Sequence, residues 1–403
     1  MIDEGPFQNI TSIFREGGFT CVLEPQDFVS TFSVAIIGKT FTVDWGDGEA
    51  VEYTNDSPYT APSGTVTIRC NSTELFFLID GTKNFTSMTI TGGESLAQVT
   101  GLFSGLTYIS SPAGISIDDT SNVWNWSSAF NGNTHWTDLS ALEDWDFSAA
   151  TRVGAMFSGN TSMTSVPNID LPWGQITLAN SFCQNCTSLA SFPSFNMTGF
   201  TGTFHLAFSG CSSLTSFPSV DLSGVGDLYR TWYNSGLTSF PALDLSGATS
   251  IIETWDNCDS IVTFGNCDLS GVLDATSAWE GCNSMVTFSV TDMSSCTDFT
   301  TAWFGCVSMT SCAVVGSMSS GVDFTSCFHN CSAMVTFGNC ATSSGTTFTS
   351  MFQGCTSLTT IGGLDTTNTA GATPTIFSGA TSITAPNSSE QTQLASASGY
   401  DYN

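Results

Sequence analysis

The chain predicts a mainly β fold: a solenoid of about 12 coils of about 25 residues, capped by a small N-terminal antiparallel β-sandwich. Three observations carry that expectation. An aromatic residue followed by a short polar turn, a cysteine and Ser-Leu or Ser-Met recurs along most of the sequence. The segment before the repeats changes to strict two-residue alternation, the mark of half-buried strands. Between successive aromatic anchors there is no room for a long helix, so a single repeat cannot close a core and must stack on its neighbours.

Residues 1–22 read as an N-terminal arm and 23–95 as the sandwich. Runs such as Phe28–Val34, Phe41–Trp45 and Thr65–Arg69 alternate apolar and polar residues between turn clusters. Asp47-Gly48 supplies the positive backbone angles of a tight hairpin. Trp45 is large enough to fill a small core.

Residues 96–385 carry the repeat, with anchors at Phe103, Phe130, Phe157, Phe182, Phe208, Trp232, Trp255, Trp279, Trp303, Phe328, Phe352 and Phe377. Their spacings lie between 23 and 27 residues, too regular for coincidence. After each anchor a short strand is expected, as in Leu214–Phe217 or Met285–Phe288. A turn such as Asp221-Leu-Ser-Gly224, Asp244-Leu-Ser-Gly247 or Asp268-Leu-Ser-Gly271 follows. Stacking then buries columns of aromatic, Leu or Met, and Phe side chains, at about 1.5–3 kcal/mol for each large one. Residues 386–403 form a small polar tail ending in Tyr400-Asp-Tyr402-Asn403.

The core motif, seen in Ala155-Met-Phe-Ser-Gly159, Ala207-Phe-Ser-Gly-Cys211 and Ser350-Met-Phe-Gln-Gly-Cys355, resembles that of the BspA-like leucine-rich repeats over residues 102–385. The resemblance implies a leucine-rich-repeat-like solenoid and a non-enzymatic surface protein used in adhesion or recognition, on bacteria, some protists or phage virions. Trp replaces Phe at four consecutive anchors from 232 to 303, and the copies at 103, 130, 157, 232 and 377 lack the cysteine. Val43-Asp-Trp-Gly-Asp-Gly48, with Tyr59 and Gly64–Ile68, is similar to the hairpin of polycystic-kidney-disease-type (PKD), immunoglobulin-like sandwiches.

Charge narrows the partners. With 35 Asp and Glu against 6 Lys and Arg, the formal net charge is −29. Such a chain is repelled by nucleic acid and by anionic membrane surfaces. No apolar run approaches the roughly 20 residues of a membrane span, so membrane insertion is not expected. Met1–Gly18 contains Asp3, Glu4, Arg15 and Glu16 and has no basic-then-apolar secretion pattern. Together with reduced-looking cysteines, this tilts the localisation expected toward a virion surface, as a phage fibre or capsid decoration. The rival is the extracellular surface of a bacterial cell. Expected partners are other virion or surface proteins, a second copy of the chain, and a cell-surface glycan.

Four side-chain sets could carry chemistry. Cys186, Cys211, Cys258, Cys282, Cys306, Cys331 and Cys355 occupy one repeat position and are expected to form a buried thiol ladder. Parallel Cβ vectors about 4.8 Å apart are too wide for the usual disulfide, and the spacing does not make a zinc site. Asp146, Asp170, Asn196, Asp221, Asp244, Asp268 and Asp292 form a second column, expected to cap their own turns. Its sharper alternative is a Ca²⁺ site between neighbouring carboxylates, Asp221, Asp244, Asp268 and Asp292 above all; Asp44 and Asp47 are a weaker calcium pair, and no other cofactor is expected. Trp124, Trp126, Trp136 and Trp145, beside His135, Glu143, Asp144 and Asp146, could stack on sugars or simply fill an imperfect core. No catalytic residue is assigned: His135, His205 and His329 sit in different repeats, and no nucleophile elbow or zinc-protease motif occurs. The enzyme alternative is a polysaccharide-degrading spike using paired carboxylates, with Glu143, Asp144 and Asp146 first.

Overall fold

The computed structural model describes the strands between residues 19 and 91, residues 96–380 apart from 107, 291, 315–317, 339–341, 363, 365–367 and 369–375, and residue 383. The chain divides into two compact units, Met1–Leu178 and Ala179–Asn403.

The first unit opens with eight strands: β1 (Phe19–Pro25), β2 (Ser30–Ala35), β3 (Phe41–Asp44), β4 (Ala50–Tyr53), β5 (Ser57–Ala61), β6 (Val66–Cys70), β7 (Leu78–Gly81) and β8 (Phe85–Thr91). They pair antiparallel in two sheets, one ordered β4-β3-β6-β1-β8 and the other β5-β2-β7. The alternating runs thus form strands where expected, but β1 begins inside the segment read as an arm. Strand β8 also pairs in parallel with β9 (Ile115–Ile117), a strand of the first coil. The antiparallel sheet therefore covers the backbone edge of that coil, and an exposed edge is what a capping element must remove. The Trp45–Gly48 turn, the Asp47 half of the weaker calcium pair and the 386–403 tail lie outside the described residues, as does the side chain of Asp44.

The coils follow. In unit one, single parallel bridges run Gln98 to Asn125, Asn125 to Arg152 and Arg152 to Leu178. Phe103, Phe130 and Phe157 stack with centroids 5.5 and 5.7 Å apart. In unit two, rings 208, 232, 255, 279, 303, 328, 352 and 377 form one continuous parallel stack with centroids 5.0–6.3 Å apart and planes within 11°. A second file, Phe192, Phe217, Phe240, Phe264 and Phe288, stacks beside it and meets it edge-on. Phe299, Phe324 and Phe348 form a third. Like side chains of successive coils therefore meet in files, as the repeat demands.

Two details depart from the sequence reading. The strand expected at Leu214–Phe217 does not form, and where the strand after the anchor does form it is two to four residues long. The strands of this unit are β10 (Ser239–Phe240), β11 (Thr263–Phe264), β12 (Thr287–Val290), β13 (Ser311–Val314), β14 (Thr336–Phe337) and β15 (Thr360–Ile361), a parallel sheet in chain order, and single parallel bridges such as Ser250 to Asp274 join the coils elsewhere. The anchor register at the fourth copy belongs to Cys183, not Phe182. Its amide donates to the carbonyl of Ala207, the residue before anchor Phe208, as Trp279 donates to Ala302 before Trp303. The backbone ladder selects the residue three before the ladder cysteine, here Cys183, and the neighbouring Phe182 is buried without taking that register.

Each coil bends at two left-handed positions. Two residues after the anchor stands Gly or Asn, for example Gly281 (φ 67°), Gly305 (φ 75°) and Asn257 (φ 57°), the residue types that tolerate this region. Two residues before the anchor the same hand recurs in side chains that resist it: Arg230 (φ 53°), Glu253 (φ 51°), Ser277 (φ 52°) and Thr301 (φ 52°). Inter-coil hydrogen bonds hold them there, as from the Ser277 amide to the Thr300 carbonyl at 2.9 Å.

Candidate functional site

The thiol ladder of unit two is built as the repeat implies. The twelve cysteines whose side chains are described are free and buried. Cys258, Cys282, Cys306, Cys331 and Cys355 each donate Sγ–H to the anchor carbonyl of the preceding coil, at 3.0–3.2 Å; Cys211 reaches Cys183 at 3.1 Å. Cys186 is buried in the same file. Burial pushes the thiols of Cys258, Cys306 and Cys355 up to about 12, so they are protonated and unreactive at neutral pH. The ladder is structural.

The aspartate column caps turns. The Oδ1 atoms of Asp146, Asp221, Asp244, Asp268 and Asp292 accept the amide two residues on, at 2.8–3.1 Å; Asn196 does the same at 3.3 Å. Asp170 is exposed. Among the described residues no group of three or more His, Cys, Asp or Glu side chains is placed to hold a metal ion.

The tryptophan set is corrected by burial. Trp126 and Trp136 have no exposed surface, and their indole N–H groups donate to the carbonyls of Val123 (3.0 Å) and Ile109 (2.5 Å). Neither ring is available to a sugar, because the longer early coils need them as filling. Trp145 is partly exposed and packs against Phe103, Trp126 and Phe130. Trp124 is also partly exposed, with the Arg152 guanidinium 5.8 Å from its ring. Glu143 and Asp144, on a 3-10 turn, and Asp146 are all exposed. His135 Nε2 lies 2.8 Å from the Ile109 carbonyl.

A different set gathers in unit two, one coil face that the sequence reading passed over. Tyr233, Asp256 and Glu280 directly follow anchors Trp232, Trp255 and Trp279, and backbone bonds join their coils: the amide of Asn234 donates to Asp256 and that of Asn257 to Glu280. Two residues before the same anchors, Arg230 Nε donates to Glu253 Oε2 at 2.7 Å. The guanidinium also lies 5.3 Å from the Tyr229 ring and 5.0 Å from that of Tyr233. His205 Nε2 sits 3.2 Å from Asp227 Oδ2 in the adjoining coils.

Asp256 is the unusual member. It is only 7% exposed, and its Oδ1 is buried with no hydrogen-bond partner. Burial first, then the charges of Glu280 and Glu253, raise its carboxyl to about 7, against the opposing pull of Arg230. A desolvated carboxyl among unneutralised acids is a recognised mark of a binding or reactive site. The signal was available: Arg230 is the sole Lys or Arg after residue 178, followed by Glu253, Asp256 and Glu280 at coil spacing. A search by motif could not find it, because its members are far apart in sequence and meet only through stacking.

A solved leucine-rich cell surface protein from Faecalibacterium prausnitzii A2-165 is similar to this chain at 16% identity and a TM-score of 0.42, covering 79% of this chain and 95% of that one. No curated protein matches. The model of the family described as Mycoplasma protein of unknown function, DUF285, matches residues 93–215 and 267–391, more than half of the sequence, and the chain belongs to that family.

Proposed function

We propose that the chain is a non-enzymatic recognition protein displayed on a surface, and that it engages a linear polysaccharide along the coil face bearing Tyr229, Arg230, Tyr233, Asp256 and Glu280. The observation that carries the reading is the periodicity of that face. The anchor rings of consecutive coils lie 5.1–5.6 Å apart between Trp232 and Trp303, and the coils themselves repeat at about the 4.8 Å strand spacing, near the length of one pyranose ring, so a sugar chain lying along the stack meets a corresponding position at each residue. Tyrosine rings offer apolar contact, and the carboxylates and the hydroxyls of Thr276, Ser277, Thr300 and Thr301 offer hydrogen bonds, the usual division of labour in a saccharide site. The buried, protonated thiols contribute nothing to chemistry at this face.

The test is retention of the full chain on a panel of immobilised polysaccharides. At least one is expected to bind with an affinity that falls tenfold or more in Tyr233→Ala. Absence of retention on every member, or retention indifferent to Tyr233, overturns the reading.

The finer placement is the virion surface, as a fibre or capsid decoration. Free, buried cysteines suit assembly in a reducing compartment. Mass spectrometry of purified particles against the cell envelope separates this from a bacterial adhesin. The N-terminal strands serve as the solenoid cap, of the PKD-like sandwich type.

A further inference from the structure

We infer that Asp256 and Glu280 form a subsite for the protonated amine of an amino sugar, a glucosamine-type residue within the polysaccharide. The inference rests on the polysaccharide reading above and names the residue type that the face selects.

Arg230, the only basic Lys or Arg side chain of the second unit, is held by Glu253 through two nitrogens, at 2.7 and 2.5 Å. Asp256 and Glu280, in that coil and the next, form no ion pair of their own, and the Arg230 charge reaches Asp256 only as a weaker pull than the two glutamates exert against it. Exposed Glu or Asp would tolerate this in water, but Asp256 is more than nine-tenths buried and its Oδ1 has no donor. A buried acceptor left unmade is unfavourable, and a charged one more so. The complementary group is a small positively charged N–H donor held by the two carboxyls.

The surroundings narrow the donor further. The Tyr233 ring stands one coil before Asp256 at the equivalent position; the Arg230 guanidinium lies over it at 5.0 Å, and a cation on the opposite face would gain a further attraction. The hydroxyl-bearing positions of the next coils, among them Ser277 and Thr301 with their oxygens 2.6 Å apart, suit a polyhydroxyl chain rather than a peptide. The amine of an amino sugar, beside electron-withdrawing oxygens, titrates near neutrality, where Asp256 also titrates. One proton can therefore be shared by the pair, and binding should be strongest near pH 7. On the acid side, protonation of Asp256 removes the ion pair; on the alkaline side, loss of the amine proton does. The charged groups facing Asp256 are Glu253, Glu280 and Arg230.

The experiment is calorimetric titration of the full chain with a glucosamine hexamer, an N-acetylglucosamine hexamer and a lysine hexamer, at pH 7 and moderate salt. The glucosamine hexamer is expected to bind at least tenfold more tightly than its acetylated counterpart and than the lysine hexamer. Asp256→Asn and Glu280→Gln should each weaken it at least tenfold. Asp221→Asn, which removes one charge but keeps a turn-capping oxygen, should leave it unchanged and so separates the site from the general pull of an acidic protein on a polycation. Since Asp256→Asn is isosteric, a melting temperature no lower than that of the parent shows that the variant is folded. In the parent, carboxyl carbon NMR should show the Asp256 titration moving to lower pH on saturation. Equal binding of the two sugar hexamers, or an Asp256→Asn variant of full affinity, overturns the amine subsite while leaving polysaccharide recognition standing. A lysine hexamer binding as well as the amino sugar overturns the sugar assignment. Failure of both sugars and of the whole polysaccharide panel removes both readings.

Discussion

The coils of the first unit and those of the second solve the same problem with different atoms. Three residues after the anchor, a buried side chain must answer the anchor carbonyl of the preceding coil. In the first unit that residue is Asn133, whose Nδ2 donates to Phe103 at 2.8 Å and to Phe130 at 3.0 Å while its Oδ1 accepts the Leu106 amide at 2.6 Å. Asn160 extends the file, its Oδ1 accepting the Asn133 amide at 2.7 Å. In the second unit cysteine makes one such bond through sulfur, and the amide at that position instead meets its own anchor, as Cys282 meets Trp279 at 3.2 Å. Asn133 ties neighbouring coils through side-chain atoms in both directions, while Asn160 does so through its Oδ1 alone. The cysteine file depends more on its flat aromatic stack. Cohesion between coils can thus come from polar bonding or from ring packing.

Several measurements would break or sharpen that contrast. Removing a ring from the middle of the long stack should have the largest effect. Trp279→Ala leaves a cavity between Trp255 and Trp303 and is expected to cost about 3–5 kcal/mol in denaturant unfolding. Trp279→Phe should cost much less, about 1 kcal/mol, because the indole N–H of Trp279 is buried without a partner and its removal relieves an unmet donor.

Next comes Asn133→Ala, which strands a buried amide and carbonyls and should cost about 3 kcal/mol. Cys282→Ala, losing one weak sulfur donor, should cost about 1 kcal/mol. Equal losses in the two variants would erase the distinction between the files.

The pH dependence of the second unit tests its one misfit charge. The Asp256 carboxyl titrates at about 7 in the folded chain and at about 3.9 when unfolded. The folded state therefore holds the proton over that window, and stability falls as pH rises from about 4 to about 7. The loss should be about 2–4 kcal/mol by thermal or denaturant unfolding. Asp256→Asn should abolish that fall. A flat parental profile would show that the carboxyl is not held as described.

Smallest is the backbone. Ser277→Gly, at φ 52°, should stabilise by up to about 1 kcal/mol, whereas Asn257→Ala at φ 57° should destabilise by a similar amount. Chelation of divalent ions is expected to leave the melting temperature unchanged, since the aspartate column spends its Oδ1 atoms on its own turns. A shift of several degrees would restore the calcium alternative.

Much of the architecture was legible because repetition writes it in plain form. Anchors at nearly constant spacing require neighbours to stack, and Gly or Asn before the ladder residue marks a left-handed bend that few other residues accept. The turn-capping aspartates were legible for a local reason: Asx turns involve residues two apart. The Trp126 and Trp136 set misled because residue type indicates only that a ring can meet either a sugar or a core. Which it meets depends on coil width, and the early coils are wide enough to need both rings inside.

What the amino-acid order determined by itself is therefore whatever depends on residues close in the chain or on strict recurrence: the solenoid, its period, its turn caps and its buried thiols. Tertiary structure decided what depends on the meeting of non-equivalent residues from different coils. It set the register on Cys183, limited the strands to a few residues, and brought Arg230, Glu253, Asp256 and Glu280 to one face. The reason is that desolvation and charge act through space. A carboxyl whose partner is missing can be recognised only after the chain has placed everything that might have paired with it.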